Sequence, residues 1–395
     1  MSSSNFARRT TASVARSRLP WLAVAVGGAL YLLAPAAQAE TRGYVISWFA
    51  TATDIPDYKV DCPLGHMDGQ TEMNVRQLRE IGYSQEQAVK IVADAGAQLG
   101  PEYRYKIDTN ARVNGKPASI FNYPDATADP NIETVTGKYA YGFDLGGQAA
   151  NKLEDPETHE KIDNQLWRSV GCTESFHSAP PGKPYPEELS WNLMIDSAPA
   201  WTLQLTGKDL SKDGPVTITI DSATQHLERD ANGDVLPDYT YVVEPHSPSH
   251  NVLQGEIKHG VLTIAPKDIY LEGELPFYAE IALRNTHMRF KAEPNGTLVG
   301  YWGGYLNWMR YVYMYTARPA NGADSIGLYH ALKKFADSDP DPKTGQNRYI
   351  SGTFRMEALP AYLARLDGSV IAPPVHNPGA LQLVEPPKSA VKTVN

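Results

Sequence analysis

The apolar positions of this chain change period along its length. A short apolar run, Gly43-Tyr44-Val45-Ile46-Ser47-Trp48-Phe49, fits a buried strand. Helical spacing follows. Val75 and Leu78 share one face of a segment from Asn74 to Ile81 that Gly82 stops, and Ala88, Ile91, Val92 and Ala95 recur behind the capping box Ser84-Gln85-Glu86-Gln87. Residues 100–184 are polar and loop-rich, with one short helix predicted behind Asp163 as its cap, through Leu166 and Trp167 to Gly171. From about Pro184 the period falls to two. Trp201, Leu203 and Leu205 alternate with Thr202 and Gln204; Val216, Ile218 and Ile220 with Thr217 and Thr219; Phe277, Ala279, Ile281 and Leu283 continue the pattern. Turn signals at Lys212-Asp213-Gly214, Lys258-His259-Gly260 and Pro294-Asn295-Gly296 separate these runs.

Such strands predict a mainly β chain with α elements, whose core is an antiparallel β-sandwich or jelly roll over 185–316. A small α+β, loop-rich region over 40–184 precedes it, and a helical segment over 317–371 packs on it. In that segment one helix is predicted from Asp324, with Ile326, Tyr329, Leu332 and Phe335 inward, and another from Pro360 to Gly368, with Leu363 and Leu366 inward. Five prolines and few large apolar side chains predict a disordered tail over 372–395.

The first forty residues read differently. Arg8, Arg9, Arg16 and Arg18 precede an apolar stretch from Leu19 to Leu33, and Ala37-Gln38-Ala39 presents small residues where a signal peptidase cuts, so residues 1–39 read as a removable signal peptide. The apolar stretch is shorter than a membrane span needs and contains Pro20, Gly27 and Gly28, so no span is expected once the signal is removed. Arg8-Arg9 is a twin-arginine pair without the usual apolar follow-up, which leaves both export routes open. The expected location is periplasmic or secreted.

Without the four leader arginines, 32 Lys and Arg stand against 45 Asp and Glu, a formal charge of −13. That surface excludes nucleic acid and anionic membranes as natural partners. Cys62 and Cys172 are the only cysteines, and in an oxidising compartment they are expected to pair.

There is no C-x-x-C-H, H-E-x-x-H, G-x-S-x-G or phosphate loop, so the common hydrolase and cofactor classes find no support. Three weaker constellations are present. Asp230, Asn232, Asp234 and Asp238 place oxygens along a tight turn, as a weak calcium site would, although Tyr241 stands where the closing Glu belongs. His246, His250, His287 and Met288 offer soft ligands to copper or zinc. The densest signal runs from Tyr301 to Tyr315 and holds seven aromatics. Tyr301, Trp302, Tyr305 and Trp308, with Arg310, are the candidate ligand wall, while a core strand or buried helix would look similar.

Three segments carry a resemblance: Asp61-Cys62-Pro63, Asp163-Asn164-Gln165-Leu166-Trp167-Arg168-Ser169-Val170-Gly171-Cys172, and the stretch from Thr344-Gly345-Gln346-Asn347 through Ile350-Ser351 to Glu357-Ala358-Leu359-Pro360-Ala361. Together they resemble a family of exported bacterial proteins of unassigned function. The resemblance implies that Cys62 and Cys172 belong to paired motifs, and it brings no reaction.

These readings converge on an exported binding or accessory protein whose aromatic surface takes an apolar or carbohydrate ligand or an exported protein partner. The alternatives are a hydrolase of a glycan or ester working through carboxylates, and a metal-binding or redox-accessory protein.

Overall fold

The sheet closes on itself. In the computed structural model, which describes residues 39–52, 58–63, 69–95, 99–173, 191–192, 195–273, 280–316 and 324–374, eight antiparallel strands form a barrel. They are β1 (Glu40–Thr51), β2 (Trp201–Gly207), β3 (Gly214–Ser222), β4 (Asn251–Lys258), β5 (Val261–Ile264), β6 (Glu280–Ala292), β7 (Leu298–Asn307) and β8 (Asn347–Pro360). Each strand pairs with the next in sequence, and β8 returns to β1 with Tyr44 opposite Pro360 and Thr51 opposite Phe354. This is an up-and-down barrel, which corrects the expected sandwich or jelly roll over 185–316. The period-two pattern is the same in both architectures. The closing pair comes from strands that lie on either side of that expected segment.

The described residues from 39 onward form one unit. The leader, residues 1–38, and most of the expected tail, 375–395, lie outside the described residues. No helix among the described residues is long and apolar enough to cross a membrane.

β1 is apolar on both faces because both are covered. Tyr44 and Ile46 point inward opposite Leu203 of β2 and Ala358 of β8. A bulge between Ile46 and Trp48 then shifts the register, so that Phe49 takes the inward place. Inside, Phe49 stacks on Phe354 at 5.0 Å and meets Trp302 and Trp201 edge-on at 5.4 and 5.7 Å. The outer face of β1 is covered by the segment that follows β8. Gly43 donates to Pro373 O and accepts from Ala361 N, and a Cβ there would stand 2.5 Å from Ala361 O. Here the helix expected over 360–368 is instead a strand, Tyr362–Ala364, paired in parallel with Thr240–Val242. Leu363 is buried against Gly43 whereas Leu366 is 70% exposed, so the three-residue spacing that mimicked a helix face does not mark one.

Connection lengths set the two ends apart. At one end β2–β3, β4–β5 and β6–β7 are joined by short turns; at the other, β1–β2, β3–β4, β5–β6 and β7–β8 carry the long insertions. The longest holds helices α1 (Gln70–Glu80), α2 (Gln85–Ala95), α3 (Pro101–Asp108) and α4 (Gln165–Val170). The box before α2 forms as predicted, with Ser84 Oγ accepting from Gln87 N and Gln87 Oε1 from Ser84 N. The cap of α4 is Asn164, which accepts from Trp167 N, and not Asp163, whose carboxylate turns away to Leu145 N and Gly147 N. The Cys62–Cys172 disulfide forms and ties the end of α4 to residues 58–63. This insertion packs on the outside of β6 and β7. Phe143 lies over Gly303, Tyr141 stacks on Tyr301 at 4.7 Å, and buried Asp155 takes Arg289 at 2.8 Å. The β7–β8 insertion supplies α5 (Trp308–Thr316) and α6 (Ser325–Phe335), the latter capped by Asp324 as expected.

Candidate functional site

The aromatic run divides between elements. On β7 the side chains alternate: Trp302 points into the barrel and is fully buried, while Tyr301 faces out beneath Tyr141 and is 9% exposed. Tyr305 also faces out and donates to Leu145 O at 3.2 Å, with burial pushing its phenol well up. Trp308 opens α5, buried, and donates to Asn347 O at 2.8 Å. Arg310 is exposed and pairs with Glu280 at 2.7 Å. The five residues therefore serve two faces of a strand and one helix, and share no common surface.

The metal candidates are likewise separate. Asp230 Oδ1 accepts from Asn232 N and Asp234 N at 2.7 and 3.0 Å, drawing its carboxyl below the usual range, and Asp230 N donates to Asp234 O. The loop thus turns its oxygens on itself. Asp230 holds the turn that carries Asn232 and Asp234, with Asp238 beyond it; among the described residues no group of three or more His, Cys, Asp or Glu is placed to hold a metal ion. His250 Nδ1 meets Asp221 at 2.7 Å, His287 lies on the outer face of β6 against Phe143, and Met288 points the other way, into the core.

What the fold does assemble is a cavity at the short-turn end of the barrel. It has a volume of about 300 Å³, and its wall includes Leu205, Leu262, Phe290 and Leu298, each from a different strand. Strands tilt and diverge at a barrel mouth. An eight-stranded interior is just wide enough to be filled by side chains or to hold one small ligand. In the middle the rings of Phe49, Phe290, Trp302 and Phe354 fill it. Toward the mouth the filling stops.

Polar residues at this mouth are Ser211 and Glu293 and, on β1, Arg42 and Tyr44, which alternate inward with Glu40 beside them. Arg42 Nε donates to Glu40 Oε1 at 2.7 Å, and Glu40 Oε2 accepts from Leu210 N at 2.6 Å. The Arg42 side chain is only 14% exposed. Its Nη2 lies 2.6 Å from the same Oε1, so the guanidinium is ion-paired with Glu40, and it also acts on the Tyr44 hydroxyl. Tyr44 lies deeper, 2% exposed, and burial pushes its phenol up to about 12 against the opposing pull of the Arg42 guanidinium, so it stays a neutral hydroxyl. The arrangement can bury an apolar body against the leucines while a polar end meets Arg42 and Tyr44. Sequence reasoning passed over Glu40 and Arg42. The one signal was their period-two spacing with Tyr44, beside a predicted cleavage point.

Compared with known proteins, the chain matches no family model, no curated protein and no solved structure.

Proposed function

We propose that this chain is an exported binding protein that holds one small amphipathic molecule in the open mouth of its barrel. The observation that carries the reading is the cavity itself: a largely apolar pocket at the mouth of a barrel whose middle is filled by rings, with the Arg42 guanidinium and the Tyr44 hydroxyl in its lining. Export rests on the leader pattern of residues 1–39 and is in keeping with the disulfide.

Size and polarity narrow the ligand. A cavity of about 300 Å³ holds roughly ten water-sized groups at ~30 Å³ each, too few for a peptide segment. The walls are aliphatic and aromatic, so the body is hydrocarbon. The buried polar edge offers donors, so the head is an acceptor such as a carboxylate. Octanoate, with about ten non-hydrogen atoms, is the matching probe.

Titration calorimetry with octanoate tests this. Saturable binding is expected, weakened about tenfold or more by Leu262→Trp, which fills the mouth, and about tenfold by Arg42→Met, which removes the donor. Absence of binding, or equal affinity in Leu262→Trp, refutes the proposal.

A further inference from the structure

A second cleft lies outside the barrel, where α4, the end of α6 and the start of β8 meet. Its volume is about 440 Å³, and Gln148, Asn151, Asp163, Gln165, Asp337 and Asn347 are among its lining residues. Two sequence segments far apart in the chain build it. Gln165 N donates to Ser351 Oγ at 3.0 Å, and that hydroxyl donates on to Asp337 Oδ2 at 2.7 Å, so the α4 motif and the stretch through Ser351 are locked together. The Cys62–Cys172 bond holds the far end of α4. This wall is rigid.

The charged side chains of the cleft are held by hydrogen bonds and ring contacts, Arg168 Nη1 by donating to Val135 O at 3.2 Å. Asp163 Oδ2 accepts from Leu145 N and Gly147 N, with Lys152 Nζ 3.7 Å away. Asp337 accepts from Ser351 through both oxygens, and Lys334 sits over the Phe335 ring at 5.3 Å. The unspent capacity belongs to neutral amides. Gln165 Nε2 donates to Asn151 O and Asn347 Nδ2 to Ala336 O, but the side-chain oxygens of Gln148, Asn151, Gln165 and Asn347 accept no hydrogen bond from any described residue. An amide presents a donor and an acceptor side by side, which matches hydroxyls that both donate and accept.

We infer that this cleft is a second binding site, for a neutral, hydroxyl-rich ligand of the size of one sugar residue, held by Gln148, Asn151, Gln165 and Asn347. The volume corresponds to roughly fifteen water-sized groups, the count of non-hydrogen atoms in an N-acetylhexosamine. The site is separate from the barrel mouth and stands or falls independently of it.

The test is titration of the full chain with N-acetylglucosamine, followed by calorimetry and by NMR. Saturable binding in the millimolar range is expected. Ala150→Trp, at an exposed rim position, should weaken it about tenfold or more, and Gln148→Ala, which deletes one exposed amide, severalfold. Leu262→Trp in the barrel mouth should leave it unchanged. No saturation up to about 100 mM, or equal affinity in Ala150→Trp with an unaltered melting curve, overturns the inference.

Discussion

Asp337 should destabilise the folded chain at neutral pH. Burial holds its carboxyl at about 6 against the ordinary 3.8; the two hydrogen bonds from Ser351 pull it down, and the charge of Asp163 adds to the rise. A group whose folded value is raised binds its proton more tightly in the native state. Its contribution to stability is therefore full below the unfolded value, and it is lost as pH rises through the folded one. A shift of about two units at 1.36 kcal/mol each makes the penalty about 3 kcal/mol once the carboxylate is ionised. Asp337→Asn removes that charge and keeps an acceptor for Ser351 N. It should raise unfolding free energy by about 1–3 kcal/mol near pH 7.5, with the gain shrinking to nothing below about pH 4. Urea unfolding of both proteins across this range, at matched ionic strength, reads the difference directly. If the variant is less stable at neutral pH, or the difference does not change with pH, burial of a charge is not what raises this carboxyl. An acid that costs stability while lining a cleft is a functional candidate on physical grounds.

Three further outcomes follow from particular contacts. Arg289→Met strands the fully buried Asp155 carboxylate and should cost about 3–5 kcal/mol, much of it recovered when Asp155→Asn is added; a loss below about 1 kcal/mol would show the pair to be solvated. Gly300→Ala would put a Cβ 2.0 Å from Arg289 O, a backbone atom of the paired strand, so a loss of about 3 kcal/mol or more, or failure to fold, is expected, and a wild-type melting curve would disprove the close approach. The Cys62→Ser, Cys172→Ser double variant opens a loop of 110 residues and should lose about 2–5 kcal/mol, while non-reducing peptide mapping of the parent should show the bond intact.

Local features were legible in the residues themselves. The box at Ser84–Gln87, the Asp324 cap and the alternation of β2 and β3 depend on neighbours within a few positions, where propensity and hydrogen-bond reach decide. The disulfide was legible for another reason: the chain has two cysteines, so each has one partner to choose. Even the aromatic run was half legible. Its alternation ends at Asn307, where strand gives way to helix, and nothing in ring content marks which face each ring takes.

Closure and sites were decided elsewhere. A sandwich and an up-and-down barrel share the same inward–outward period, and the difference lies in whether β8 reaches β1, a pairing with no local signature. The helix misread at 360–368 has the same origin, since Leu363 is buried by Gly43 across the barrel wall and not by a helix neighbour. Glu40 and Arg42 became a half-buried pair because strand β1 turns them into a mouth built by residues more than 160 positions later, such as Leu205 and Leu210. Asp163 and Asp337 share a cleft only through the Gln165–Ser351 link, which spans 186 residues. The sequence by itself determined the period of each element, its caps and the covalent pair, because those are settled over a few residues. Which strand ends meet, and hence where a cavity opens and which charges are buried in it, was settled by long-range pairing alone.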